Sequence, residues 1–396
     1  MSYRRKDKNN VVLRDGESYR NDGRYQYRYT DLMGERRTFY ANSLDELRRM
    51  EKKIQKTVDD RLNYVDGLIS VLDLVDRYLE TKQGVRYNTR VGYNFVTNLM
   101  KKEEFCYRKI MDIRVSDAKA WMIKLHNDGK HYSTLCTIKG VVGPAFQMAV
   151  EEDILRKNPF EFGLTKVVPN DSETRIALDP EQLELWMSFL REDKHYRQYY
   201  DEFVVLLGTG MRISEFCGLT KKDLDFKERK IRVERQLMRD RHCNYIIESP
   251  KTKSGSRWIP MTDEVYDALQ NIVKKRPKTK VEFAIDGCSG FLTLDKDLKP
   301  KVALHYEKYC QWAMVKYRKL HPDKPLPDIT PHVFRHTFCT DLANAGLDLK
   351  SLQYIMGHSD ANVTMNVYTH ARYDHAAEEM LKYTKMMDRS RKEDVV

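Results

Sequence analysis

The chain has 396 residues, with 70 lysines and arginines against 59 aspartates and glutamates, a formal charge of +11. An apolar share of 41% and an aromatic share of 11% supply packed cores and exclude a wholly disordered chain. No uninterrupted apolar run is long enough to span a membrane, and the charged start MSYRRKDKNN does not read as a secretory signal. This length predicts two to three domains. The cysteines, at 106, 136, 217, 243, 288, 310 and 339, contain no C-x-x-C pair and predict free thiols, a reducing cytoplasm and no zinc knuckle. The excess positive charge points to a polyanion, most often nucleic acid.

Residues 1–65 read as a small β-rich module ending in a helix. Residues 11–13 run into an Asp15-Gly16 turn, a hairpin signal. Residues 24–29 alternate, with Tyr25, Tyr27 and Tyr29 on one face and Arg24, Gln26 and Arg28 on the other. A turn through Met33-Gly34 leads to a third strand over 36–40, and Ser43 with Glu46 forms a capping box for a helix. The arginine face is either a solvated sheet surface or a basic sheet laid in a DNA groove. In the second case Arg24, Arg28, Arg36 and Arg37 are the candidate contacts.

Residues 66–164 read as all-helical. Ser70 caps a helix through Leu79, Thr89 opens one through Met100, and Ser116 and Ser133 cap two more. The last carries Leu135, Ile138, Val142, Ala145, Phe146 and Ala149 on its buried side. Asn158-Pro159 stops the helical run. Residues 165–175 are polar and aperiodic, hence a linker. Residues 176–396 form a mixed α/β unit with a helical tail. Asp179-Pro180 opens a helix over 181–190, and another follows over 199–207. Strands near 230–237, 244–248 and 256–260 make a short antiparallel cluster, followed by further helices. In the charged tail Ala376, Ala377, Met380 and Leu381 fall at helical spacing.

Four stretches of this last unit carry chemistry. Gly208-Thr209-Gly210 permits a tight turn that leaves Arg212 at a helix start, with Glu215 three residues on. Residues 251–260, KTKSGSRWIP, read as a Gly-turned hairpin with lysines at its tip. Thr330-Pro331 opens a helix on which His332 and Arg335 share a face. Met356-Gly357-His358-Ser359 is followed by Tyr368-Thr369-His370. Taken singly, each has a bland reading. Arg212 and Glu215 make an ordinary helix pair, the lysines are solvated, and a tyrosine near a C-terminus is structural. His332 and His336 have metal-ligand spacing, but Val333 stands between them where a zinc protease needs glutamate, and no acidic third ligand is nearby.

As an ordered group, R-I-S-E, T-K-S-G, H-V-F-R-H, M-G-H-S and Y-T-H resemble the tyrosine recombinases, and most closely the integrases of conjugative transposons. The resemblance spans nearly the whole chain. It implies a multidomain α+β fold: a β-sheet-plus-helix arm-binding module, an all-α core-binding domain and a mixed α/β catalytic domain. It implies site-specific integration and excision of a mobile element through a covalent 3′-phosphotyrosine, without metal, cofactor or ATP. The chemistry of the residues agrees. Tyr368, whose phenol has a free pKa of about 10, supplies the nucleophile once a base or nearby cations help it ionise. Arg212 and Arg335 match the planar geometry of the non-bridging phosphoryl oxygens. His332 accepts the phenolic proton or donates to phosphate, and His358 donates to the same group. Lys253 or Lys251 protonates the leaving 5′ oxygen. Lys253 is preferred because it directly precedes Ser254-Gly255, matching the family's lysine-then-small-residue pattern. Glu215 orients Arg212. The expected partners are double-stranded DNA at core and arm sites, a homotetramer on that DNA and a small excision factor. The tail packs either on its own domain or on a neighbouring protomer. Two competing functions remain open: a non-catalytic DNA-binding protein and a topoisomerase using the same tyrosine chemistry. The complete active-site set argues against the first, and the arm-like module against the second.

Overall fold

The computed structural model of the chain describes residues 5–30, 36–59, 66–172, 177–250, 253–278, 280–361, 364–365, 380–381 and 384. The chain divides into two compact units, residues 1–173 and 174–396.

The first unit opens with an antiparallel meander of β1 (Glu17–Tyr19), β2 (Tyr25–Thr30) and β3 (Arg36–Ala41), followed by α1 (Leu44–Asp59). Tyr25 and Tyr27 pack with Leu13, Ala41, Leu47 and Ile54 into a small core, so the tyrosine alternation marks the inner face. Gly16 has φ +83°, and a Cβ there would lie 2.7 Å from the Arg28 carbonyl oxygen, which makes glycine obligatory at this turn. Residues 11–13 differ from the hairpin expected of them. They make only an isolated bridge, Lys6 to Val12, because the Asp7 carboxylate accepts the Asn9 and Val11 amides and closes a local turn instead. The register pairs Tyr29 with Arg37 and Thr30 with Arg36. Arg28 and Arg36 therefore share the face away from the tyrosines, whereas Arg37 falls on the tyrosine side. Ser43 Oγ accepts from the Glu46 amide at 3.2 Å, the cap expected for α1. The Met33-Gly34 turn lies outside the described residues.

Four longer helices follow: α2 (Val71–Glu80), α3 (Tyr87–Met100), α4 (Val115–Asn127) and α5 (Tyr132–Glu151). Their apolar faces converge on a second core that includes Leu74, Met100, Trp121, Phe146 and Phe160. Ser70 caps α2 reciprocally with Asp73. The other three helices start one or two residues before Thr89, Ser116 and Ser133. In α4 the Asp117 carboxylate reaches back to the Arg114 amide at 2.8 Å. In α5 the cap comes from forty residues away, where Asp171 accepts from the Tyr132 amide at 2.7 Å and lies 2.9 Å from His131 Nδ1. No local pattern announces such a cap. Val168, within the stretch expected to be a linker, is buried in the helical core.

The second unit begins with α6 (Pro180–Glu192), capped reciprocally by Asp179 and Gln182. Then come α7 (Tyr200–Thr209), α8 (Ile213–Cys217), β4 (Leu224–Asp225), β5 (Lys230–Val233), β6 (Gln236–Arg239), β7 (Tyr245–Glu248) and β8 (Arg257–Pro260). Helices α9 (Asp263–Lys275), α10 (Ala303–Leu320), α11 (Pro331–Asn344) and α12 (Leu349–Met356) complete it. The strands are antiparallel as expected but form two sheets, β4-β5-β8 and β6-β7. Residues 251–260 are consequently not a hairpin: β7 pairs with β6 and β8 with β5, and a short turn over Lys253–Gly255 joins the two sheets. Pro250 cannot donate to a ladder, and it packs so closely that a Cβ on Gly255 would sit 2.4 Å from its own Cβ. The core of this unit centres on Trp186, Phe203, Phe216, Tyr306, Tyr317 and Phe334, where α7 packs against α9 and α11. No helix among the described residues is long and apolar enough to cross a membrane.

Candidate active site

Two left-handed turns build the site. Helix α7 ends at Gly210, with φ +58°, and a Cβ there would meet Phe338 at 2.3 Å. Only glycine supplies both that conformation and that space. The turn delivers Arg212 to the N-cap of α8. Its backbone amide donates to Glu215 Oε2 at 3.0 Å and its Nη1 to Glu215 Oε1 at 2.7 Å. Helix α12 ends the same way at Gly357, with φ +63°, and sets His358 just beyond it. Arg212 Nη2 donates to the Gly357 carbonyl at 3.1 Å. From α11, Arg335 joins both turns, with Nη1 on the Gly210 carbonyl and Nη2 on the Met356 carbonyl, each at 2.6 Å. Arg212 and Glu215, Arg335, and His358 are thus brought together from three segments far apart in sequence.

His358 is braced on both sides. Its amide donates to the Gln353 carbonyl at 3.1 Å, and Gln353 Nε2 donates to the His358 carbonyl at 3.1 Å. Its Nδ1 lies 2.9 Å from the hydroxyl of the fully buried Thr364. His332 is exposed in the first turn of α11, one turn before Arg335. His336 Nδ1 pairs with Thr340 Oγ1 at 3.3 Å, a contact within the helix. Lys251, Tyr368, His370 and the tail positions Ala376 and Ala377 lie outside the described residues, as does the side chain of Lys253.

A further arginine, Arg257, completes the cluster and escaped the sequence reading. Its guanidinium, fully buried, makes a forked pair with Glu215, Nη2 to Oε2 at 3.0 Å and Nη1 to Oε1 at 3.3 Å. A signal was available. On β8, Arg257 shares its parity with the buried Ile259, and a charged residue on the inward side of a strand requires a buried partner. Thr364 carried no such signal.

The charges do not balance. Among the described residues three guanidinium groups surround one carboxylate. Burial would raise the Glu215 carboxyl, but Arg257 and then Arg212 outweigh it and hold it below its usual range. Burial, with Arg212 alongside, pulls Arg335 down to about 9. Burial and then Arg335, Arg212 and Arg257 pull His358 down from 6.5 to about 4. A cluster this short of negative charge is preorganised for an anion. Its neutral histidine pairs through Nδ1 with the Thr364 hydroxyl, and in the tautomer in which that hydroxyl donates, Nε2 carries the proton and can donate it. Among the described residues no group of three or more His, Cys, Asp and Glu side chains is arranged to hold a metal.

This predicts how His358 titrates. In the unfolded chain it protonates near 6.5, whereas in the folded chain it stays neutral to about 4. Its contribution to stability is therefore present above pH 6.5 and is lost as pH falls towards 4. Following the His358 ring by NMR in DNA-free protein should show no titration between pH 6 and 8. A midpoint near 6.5 would contradict the cluster's charge arrangement.

Comparison with known proteins matches the chain to a family. Residues 177–375 match the phage integrase family, and residues 1–58 match the DNA-binding domain of the Tn916 integrase. The chain is 40% identical over 404 residues to the transposase from transposon Tn916 of Enterococcus faecalis, covering 99% of both. The chain belongs to the phage integrase family. Like other members of this tyrosine recombinase family it cleaves and rejoins DNA. The Tn1549 transposon integrase bound to transposon right end DNA is 42% identical, with a TM-score of 0.75, over 79% of this chain and 99% of that one. An Arg→Lys variant of that integrase, bound to circular intermediate DNA, matches at 42% identity and a TM-score of 0.76, over 80% and 99%. The chain is accordingly an integrase of the Tn916 type, with an N-terminal sheet module and a tyrosine-recombinase fold, acting in integration and excision.

Proposed function

We propose that this integrase cuts and rejoins the ends of its own transposon and the junction of the excised circle, with Tyr368 as nucleophile. One observation carries the reading: Arg212 and Arg335 are tied to the same left-handed turn, at 356–357, that leads into His358. A phosphodiester seated there meets two guanidinium groups and a neutral imidazole donor, and its negative charge offsets the local positive excess.

The Tyr368 oxygen attacks the phosphorus and its proton passes to a base, for which His332 is the candidate. The bond to the 5′ oxygen breaks as Lys253 protonates that oxygen. The 3′-phosphotyrosine keeps the phosphoester bond, so a 5′ hydroxyl from the other duplex reverses the step and releases the enzyme without ATP. Glu215 orients Arg212. Exchange of two duplexes breaks four strands, and one tyrosine per strand calls for four protomers. Residues 1–65 bind arm sites, with Arg24, Arg28, Arg36 and Arg37 as candidate contacts. Residues 66–164 and 176–396 both contact core DNA, with Lys251 contributing at the core. A small excision factor biases the direction, and the DNA substrate puts the enzyme in the bacterial cytoplasm.

The test is a suicide duplex bearing the transposon's own end, nicked beside the crossover. Wild-type protein should convert it to an adduct that survives SDS, with EDTA present throughout. Absence of the adduct would overturn the reading. Because the contacts are to phosphates, binding should weaken steeply with salt.

A further inference from the structure

Among the described residues Arg257 makes four hydrogen bonds, and all of them go to segments that carry proposed catalytic residues. Two go to Glu215, the partner of Arg212. Nη1 also donates to the Gly255 carbonyl at 3.0 Å, in the turn that begins at Lys253. Nε donates to the Ile355 carbonyl at 2.6 Å, in the last turn of α12 before His358. The guanidinium also lies flat against Gly357, where a Cβ would fall 2.8 Å from Nη1 and 3.0 Å from Cζ. Glycine at 357 therefore serves two ends, the left-handed turn and the close approach of Arg257.

We infer that Arg257 is a positioning residue for strand cleavage, a bracket that fixes the Arg212–Glu215 pair, the Lys253 turn and the His358 turn in one frame. The inference rests on the assignment of those residues as catalytic. Stability alone does not explain an arginine here, because a buried ion pair is commonly no more stabilising than well-packed apolar groups of equal volume. The contrast with Arg276 is instructive. That arginine is also buried, but its bonds go to the Phe291 and Pro277 carbonyls and to Glu282, none of them near the site. The planar fork matters as well. It spans both oxygens of Glu215 on one side while reaching two carbonyls on others. A lysine ammonium keeps the charge but cannot match that pattern.

The experiment is single-turnover cleavage of the nicked suicide duplex by the full chain at saturating protein. The first-order rate constant reports folded, DNA-bound molecules, and the amplitude reports the fraction that is folded. Arg257→Lys should cleave about a hundredfold more slowly, as displacement of catalytic groups by about 1 Å does, with amplitude and gel-shift affinity near those of wild type. Arg257→Gln should in addition raise the His358 titration midpoint from about 4, because of the three guanidinium groups that face it among the described residues, Arg335, Arg212 and Arg257, one is gone, while Glu215 remains. A rate constant within about threefold of wild type, with any loss confined to amplitude, would reduce Arg257 to a structural role and overturn the inference. Absence of adduct in wild type would instead sink the reaction reading, and this inference with it.

Discussion

A Tyr368→Phe protein should bind its DNA with wild-type affinity and form no covalent adduct. The substitution removes one oxygen and leaves the ring. The guanidinium groups at 212 and 335 still draw the phosphodiester into the site, so the gel shift persists. What disappears is the atom proposed to become esterified. With the phenol gone, water has to replace it as nucleophile, so cleavage should fall by about four orders of magnitude or more. The readout is the SDS-resistant band on the nicked duplex. A phenylalanine protein that still produces it at a wild-type rate would show that another side chain carries the strand, and Tyr368 would lose its role.

The second large effect is expected at Arg335. Replacing it with alanine should lower the cleavage rate by about a thousandfold, because it removes a preorganised positive donor from the position where phosphoryl charge develops. DNA affinity should change little, since one phosphate contact among many is lost. The Gly210 and Met356 carbonyls lose their donor, at about 1–3 kcal/mol for each buried acceptor left unmade, so the melting temperature should fall too. Arg335→Lys separates the two effects. It keeps a charge and much of the stability but cannot bridge two carbonyls while facing phosphate, so its rate should stay low. A lysine variant cleaving within a few-fold of wild type would mean that charge alone, without the fork, is what the position supplies. Salt should distinguish these variants from losses at arm contacts, where binding and not the rate constant responds.

Most of the elements were legible in the sequence because their signals are local. The caps at Ser70 and Asp179, the proline at the start of α11 and the glycine ending α7 each act within one turn of chain. The tyrosine alternation in β2 reported its buried face for the same reason. Where the expectation failed, the deciding partner was remote. Asp171 sets the start of α5, and the pairing of β7 with β6 and β8 with β5 dissolves the expected hairpin.

The candidate site divides along the same line. The order and type of Arg212, Arg335 and His358 were readable as candidates from the chain alone, through motifs that resemble those of the tyrosine recombinases. Their convergence was not. That needed two left-handed turns presenting carbonyls to arginines from other helices, contacts that span 125 and 145 residues of sequence. Arg257 is the clearest case. In the sequence it is one more cation in a basic stretch, and only the packed interior, which tolerates a guanidinium solely where its donors are met, turns it into part of the site. Local residue chemistry specified the reagents, and long-range burial decided which of them face one another.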